Sequence, residues 1–364
     1  MYRILFPLFA LVALLILTGC RNGPSPNSLP VKKGVLENGE VLAFSHASLL
    51  GGLADIYLID SNQGIRLAGE PKKYDTGPLW SPDGSQLIYM GSFGWEADLF
   101  LLDIESRESH QITQDGYYKY SPRWSPDGEY LAYLNTEDPE HPSLHPELLN
   151  ILELSTGENH TIEFERVLDY RWLPESQSIF TLAKTDVGFS AYKVNLDGSR
   201  EKLNARLNFL EEAVYVSLSP DSSMAAYVVP ATDPDALVDP LYVASIDGSG
   251  EYEVGSFAID SSMVWSPDGE RLAFVTFDED YRYALYVVNA DRSGLKELLV
   301  LDTGDDSGEI LPGTPAWSAD SQKLAIGSYT SWQGTAVYVL NMNGSEIRQV
   351  IGPAGLIFGI SWRP

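Results

Sequence analysis

The chain has 364 residues, enough for a large core, and its 44% hydrophobic and 11% aromatic content exclude a disordered protein. A net charge of −27 excludes general binding to nucleic acid or anionic lipid headgroups, because no positive field can displace their counterions. The single cysteine, Cys20, excludes a disulfide within the chain.

In chain order, residues 1–19 read as a signal peptide. Arg3 supplies a positive charge, and residues 4–17 are apolar apart from Pro7. That run is shorter than the about 20 residues a membrane span needs and fits a secretory core. Leu17, Thr18, Gly19 and Cys20 follow, and this "LTGC" resembles the lipobox of bacterial lipoproteins. The resemblance implies cleavage before Cys20 and a lipid on that residue. In two-membrane bacteria an Asp after the cysteine favours inner-membrane retention; Arg21 stands here, so the resemblance favours the outer membrane where one exists and leaves open which membrane carries the anchor. Residues 20–38, rich in Pro, Ser and Asn, read as a flexible tether, and residues 39–364 as the globular part.

From there a repeat governs the chain. "WSPDG" occurs at residues 80–84, 124–128 and 265–269, with altered copies between. The anchors are Trp80, Trp124, Trp172, Leu218, Trp265, Trp317 and Trp362, spaced 44 to 52 residues apart. Each anchor closes a short segment, and a turn follows. Two β-rich runs come next, such as "ERLAFVT" and "ALYVVNA", and a last short strand completes the unit. Four strands in that period predict a β-propeller blade. Within the turn, Pro presets φ, Asp hydrogen-bonds the local backbone and Gly supplies a positive φ. A tryptophan before it can fill the wedge between blades.

The two ends are complementary. "EVLAFSH", "ADIYLID" and "GIRLAGE" make a second, third and fourth strand without a first, and "GLIFGISWRP" is a first strand without the rest. The prediction is an all-β, seven-bladed β-propeller of four-stranded antiparallel blades. It closes by pairing the C-terminal strand with the N-terminal blade, which hides both sheet edges. The repeats resemble the TolB-type, or WSPDG-repeat, propeller family over about residues 40–364. TolB itself is a six-bladed propeller with an extra domain. Seven units are counted here, Leu218 replaces one anchor, and "LPES" follows Trp172 in place of "SPDG".

Turns between first and second strands, and between third and fourth, are short. The connectors at the opposite end are expected to be long and irregular, and they are the expected functional face. Trp95, Tyr117, Tyr118, Tyr120 and Trp332 are its candidate binding aromatics, able to stack on a sugar or anchor a protein. Packing against neighbouring loops is the alternative role for them. His141 and His145 lie in a Pro-rich loop with Glu137, Asp138 and Glu147, where no helix can make their ligands converge. Asp302, Asp305, Asp306 and Glu309 have calcium-friendly chemistry without EF-hand spacing, so Ca²⁺ is the one cofactor considered.

Catalytic signatures are missing: no Gly-x-Ser-x-Gly, sialidase Asp-box, Walker A loop, dinucleotide fingerprint or His-Glu-x-x-His occurs. The expectation is a monomeric, non-catalytic binding or scaffold module of the cell envelope. It would recognise a protein or glycan and meet the membrane only through its N-terminal lipid. The alternatives are a lyase or hydrolase acting on carbohydrate or peptide through acidic residues at the central funnel, and a small-ligand sensor.

Overall fold

The computed structural model describes residues 36–364, except 38, 48–52, 62–63, 69–73, 94–95, 137–146, 186–187, 204, 206, 208–209, 211–212, 234–235, 237, 278–282, 302–309, 331–333 and 344–345. The expected signal peptide, Cys20 and nearly all of the expected tether therefore lie outside the described residues. The described residues form strands and no α-helix, so none of their elements could cross a membrane as a helix.

The N-terminal strands are β1 (Leu42–Ala47), β2 (Asp55–Ile59) and β3 (Gly64–Ala68). Next come β4 (Tyr74–Trp80), β5 (Gln86–Phe93), β6 (Glu96–Asp103) and β7 (Ser109–Gln111). The following set is β8 (Tyr118–Trp124), β9 (Tyr130–Thr136), β10 (Glu147–Glu153) and β11 (Asn159–Phe164). It is succeeded by β12 (Arg166–Trp172), β13 (Ser178–Thr185), β14 (Gly188–Asn195) and β15 (Arg200–Lys202). Then follow β16 (Tyr215–Leu218), β17 (Met224–Val228), β18 (Asp239–Ser245) and the long β19 (Glu251–Trp265). The C-terminal third adds β20 (Arg271–Phe277), β21 (Tyr283–Asn289), β22 (Lys296–Leu301), β23 (Ile310–Pro312) and β24 (Ala316–Trp317). The last strands are β25 (Lys323–Thr330), β26 (Gly334–Asn341), β27 (Ile347–Ala354) and β28 (Leu356–Trp362).

Neighbours in sequence pair antiparallel as up-and-down meanders, for example β12-β13-β14-β15. The chain's two ends share one sheet, ordered β28-β1-β2-β3, with Leu42 opposite Trp362. A parallel bridge, Ala97 to Tyr118, joins the β4–β7 and β8–β11 sets. β19 serves two sets, pairing with β18 through its first half and with β20 through its second.

Alternation along each strand sends side chains to both sheet faces, and the core forms between successive sets rather than at one centre. Ile88, Leu99, Trp124 and Leu131 make one such cluster between the β4–β7 and β8–β11 sets. Leu42, Phe44, Val337, Val350 and Trp362 make another, which joins the C-terminal strands to β1. Ala43, Ile56, Trp80 and Leu87 carry the packing onward from β1 to β5.

The anchors are tied in a common way. Each anchor indole donates to the carbonyl just before the preceding anchor: Trp124 to Leu79 at 3.2 Å, Trp172 to Arg123 at 3.0 Å, Trp265 to Ser217 at 2.9 Å. Trp317 donates to Val264 at 3.1 Å and Trp362 to Ala316 at 2.9 Å. Trp80 donates to Ser361, joining the beginning of the series to its end. A buried indole N–H needs such a partner, and each bond contributes about 1 kcal/mol net.

The turn after the anchor is also repeated at atomic level. Ser81 donates to Asp83 at 2.7 Å and accepts from the Gln86 N–H at 3.0 Å, while Asp83 accepts from the Ser85 N–H at 3.0 Å. The same triangle recurs around Ser125 and Asp127, Ser219 and Asp221, and Ser318 and Asp320. Bonds from Ser81 and then Ser85 hold the Asp83 carboxyl down to about 2. Gly84 takes φ +68°, and a Cβ there would lie 3.0 Å from Arg363. In worn copies Ser176, Ser222 and Ser321 occupy the same left-handed region.

One expectation requires correction. Not every fourth-to-first connector is a long loop: β11 meets β12 through Glu165 alone, β27 meets β28 through Gly355, and β19 runs through without a break. Gly355 can sit there because a Cβ would fall 2.0 Å from the Ala47 carbonyl oxygen. At these junctions the chain steps directly between sheets, leaving no residues for a loop.

Candidate functional site

First strands start, and second strands end, at the end of the molecule opposite the tight turns. Its described residues concentrate buried charge between the β4–β7 and β8–β11 sets and around β12.

Lys119 lies on β8 with a fully buried side chain. Its ammonium bonds to Asp115, to the Tyr117 carbonyl at 3.0 Å and to Asp98 at 3.4 Å. Asp98 is held in turn by Gln111 at 2.8 Å and Thr113 at 3.2 Å. Two carboxylates thus compensate one buried cation, and the set pins residues 111–119 to β6. Asn135 faces Lys119 in register on β9, and its side-chain oxygen is buried with no hydrogen-bond partner among the described residues.

Glu147 opens β10 and is buried beneath the start of β12, accepting from the Val167 N–H. Burial pushes its carboxyl above the usual range, against the Val167 hydrogen bond and the Arg166 charge. Burial and the Glu147 charge push the Tyr120 phenol up in the same pocket. Burial lowers His46 on β1, opposed by Asp55.

Nearer the anchors, three first strands meet through charge. Asp169 on β12 accepts from Arg123 on β8 at 2.7 Å, from the Leu218 N–H at 2.7 Å and from the Tyr170 N–H at 2.8 Å. Arg171 approaches its other oxygen at 3.5 Å and donates from Nε and Nη2 to the Leu218 carbonyl at 3.2 and 2.9 Å. Burial would raise Asp169, but the charges of Arg123 and Arg171 together with the Leu218 and Tyr170 N–H bonds outweigh it and leave the carboxyl below its ordinary value. This is the junction where Leu218 replaces the anchor tryptophan. The bonds across it run from the preceding strand's side chains to the Leu218 backbone, in place of an indole.

Of the candidate binding aromatics, Trp95 and Trp332 lie outside the described residues, as do His141, His145, Asp302, Asp305, Asp306 and Glu309. Tyr117, Tyr118 and Tyr120 are half-buried, not exposed. Tyr120 packs against a core cluster with Leu134, Leu149 and Val167, and burial raises Tyr118. Tyr118 and Tyr120 belong to β8 and not to a connecting loop. Glu147, read as part of a solvated loop, instead begins a strand and is buried.

The sequence reading missed Lys119, Asp98, Arg123, Asp169 and Arg171. One signal pointed to the last three: the anchor missing at Leu218 marks the junction that needs another tie. Among the described residues no group of three or more His, Cys, Asp or Glu side chains could hold a metal ion.

No known family pattern matches the chain, and no curated protein matches it either. Solved structures do. An oligogalacturonate lyase from Vibrio parahaemolyticus aligns with TM-score 0.61 at 17% identity, covering 86% of this chain and 89% of the lyase. An oligogalacturonate lyase in complex with manganese gives 0.61 at 16%, covering 88% and 91%. TolB from Acinetobacter baumannii gives 0.51 at 12%, covering 98% and 93%. The β-propeller domain of the Trilobed protease from Pyrococcus furiosus gives 0.53 at 14%, covering 77% and 86%. At such identities the likeness speaks for fold alone: the chain is an all-β protein with the fold of TolB-like and other β-propellers.

Proposed function

We propose that the mature chain is a lipid-anchored, extracytoplasmic β-propeller of seven four-stranded blades, closed through β28 and β1. It serves as a monomeric, non-catalytic binding module of the cell envelope. Residues 1–19 are the signal peptide, Cys20 carries the lipid, residues 20–38 are the tether and 39–364 the propeller. The partner is an envelope protein or a glycan, bound at the end opposite the tight turns.

One observation carries the binding reading. The buried charged groups at that end are engaged in holding strands together: Lys119 with Asp98 and Asp115, and Glu147 with the Val167 N–H. Groups spent in this way make a rigid platform for connecting segments. Closure is supported by the β28–β1 ladder and by the indole bond from Trp80 to Ser361. The alignment with TolB supports the reading by analogy of fold alone.

The experiment is affinity capture from detergent-solubilised membranes with the wild-type chain and a C20S variant. The expected result is recovery of one specific envelope protein or glycan, with a lipid found by mass spectrometry on Cys20 of the wild type and none on C20S. Repeated capture of nothing specific overturns the binding reading, and wild-type protein that carries no lipid on Cys20 by mass spectrometry overturns the anchor.

A second reading has one specific observation in its favour: oligogalacturonate lyases align over most of this chain. In that reading the centre of the ring cleaves an acidic polysaccharide. Ultraviolet detection of the unsaturated product, with and without Ca²⁺ or Mn²⁺, tests it. No turnover over a panel of polysaccharides removes it.

A further inference from the structure

The residue just before each anchor lies on a first strand, and six of these residues lend a carbonyl to an indole. Leu79, Ser217, Val264, Ala316 and Ser361 are uncharged, whereas Arg123 and Arg171 are successive cations. Both guanidiniums contact one carboxylate, that of Asp169. The cluster therefore carries an excess of one positive charge inside a chain of net charge −27.

Its donors are unevenly used. Arg171 spends Nε and Nη2 on the Leu218 carbonyl. Arg123 spends Nη2 on Asp169, and its guanidinium lies 4.6 Å over the Tyr170 ring. Arg123 Nη1 is buried with no hydrogen-bond partner among the described residues. The arginine side chains are 26% and 22% exposed, so the pair is not sealed. Like charges held side by side over one counter-ion repel, and an unfilled guanidinium donor away from water costs free energy. A second anion at the exposed edge of the pair relieves the repulsion, and a guanidinium fork matches a planar or tetrahedral oxyanion by paired N–H bonds.

We propose that Arg123 and Arg171 form a binding site for one small oxyanion between β8 and β12. Its placement at the centre of the molecule rests on the closed-ring reading. The chemistry is that of a carboxylate or a phosphate, and a point cation such as Lys does not reproduce it.

The test is calorimetric titration of the full chain, purified in detergent, with acetate and then inorganic phosphate, at constant ionic strength set by chloride. The expected result is saturable one-to-one binding of at least one probe, weakened about tenfold or more in R123Q. The tighter probe identifies the source as a carboxylate or a phosphate. Where circular dichroism shows R123Q unfolded, R123K takes its place: it keeps the charge beside Asp169 and loses the fork, so it too binds more weakly. Absence of saturable binding of either probe overturns the site, as does a folded variant that binds like the wild type. These outcomes do not depend on whether a partner is captured from membranes or on the number of blades.

Discussion

The Trp80 indole donates to the Ser361 carbonyl 3.3 Å away, across 281 positions of sequence. Arg363 adds to this tie, donating from its backbone to Val41 at 3.0 Å and from Nε to Gly84 at 3.0 Å, with its guanidinium over the Trp80 ring. The chain's end is thereby fastened to its first complete repeat. W80F should lose about 1 kcal/mol, and W80A about 3–5 kcal/mol as a cavity opens. Removing residues 356–364 should abolish cooperative unfolding, because it uncovers the β1 edge and the cluster around Trp362. Urea melts followed by circular dichroism check all three.

Asp169 holds the junction that has no anchor tryptophan. D169A leaves the Leu218 N–H and two guanidiniums without their carboxylate and should cost about 3–5 kcal/mol. L218W should not stabilise the protein, since Leu218 is fully buried among Phe180, Leu182 and Leu210 and an indole would overpack that cluster. Denaturant midpoints of the two variants measure these effects.

The buried cation at Lys119 gives a double-mutant test. K119M strands the carboxylates of Asp98 and Asp115 and should be destabilising by about 3 kcal/mol or more. Adding D98N to K119M should return part of that loss, giving a coupling outside additivity. Two additive losses would show that the ion pair is not what ties β8 to β6.

Glu147 predicts a pH dependence. Burial raises its carboxyl in the folded state, so the folded protein holds that proton more tightly than the unfolded chain. The contribution is fully present below the ordinary carboxylate pKa, is lost as pH rises through the raised value, and stays lost above it. E147Q removes this loss while its amide oxygen can still accept from Val167. Its melting temperature should exceed the wild type's at pH 7 and match it near pH 4. Thermal scans at the two pH values decide the matter.

The worn turn copies predict unequal outcomes for one chemical change. Ser222 and Ser321 both take φ +59°. The Ser321 hydroxyl accepts from the Asp268 N–H at 3.1 Å, whereas the Ser222 hydroxyl is buried with no hydrogen-bond partner among the described residues. S222G should stabilise by about 1 kcal/mol through relief of left-handed strain, while S321G gains that relief and loses a hydrogen bond. Chemical melts of the two variants side by side check the contrast.

Repeats, turns and strand assignments were legible in the sequence because they depend on local chemistry. "SPDG" closes a hairpin through contacts within five residues, and alternation of apolar and polar residues marks a strand wherever it occurs. The half-unit at each end was readable for the same reason, since a missing strand shows in the order of runs. The buried site residues were not legible. Lys119 sits in "GYYKYS" like any solvated lysine, and only β6 from the preceding repeat brings Asp98 to it. Tyr118 and Tyr120 follow a turn-like "QDG" in sequence, and only the pairing of β8 with β9 makes them strand residues.

What the sequence by itself determined is the unit and its multiplication, because each anchor and turn carries its own bonding instructions. What the tertiary structure decided is how one unit meets the next. Where the anchor is tryptophan, an indole hydrogen bond makes the tie. At Leu218 the tie passes to Asp169 and Arg171, 49 and 47 positions before it. Such substitution of one bond for another is invisible along the chain, since charges compensate through space at distances of about 3 Å, whatever separates them in sequence.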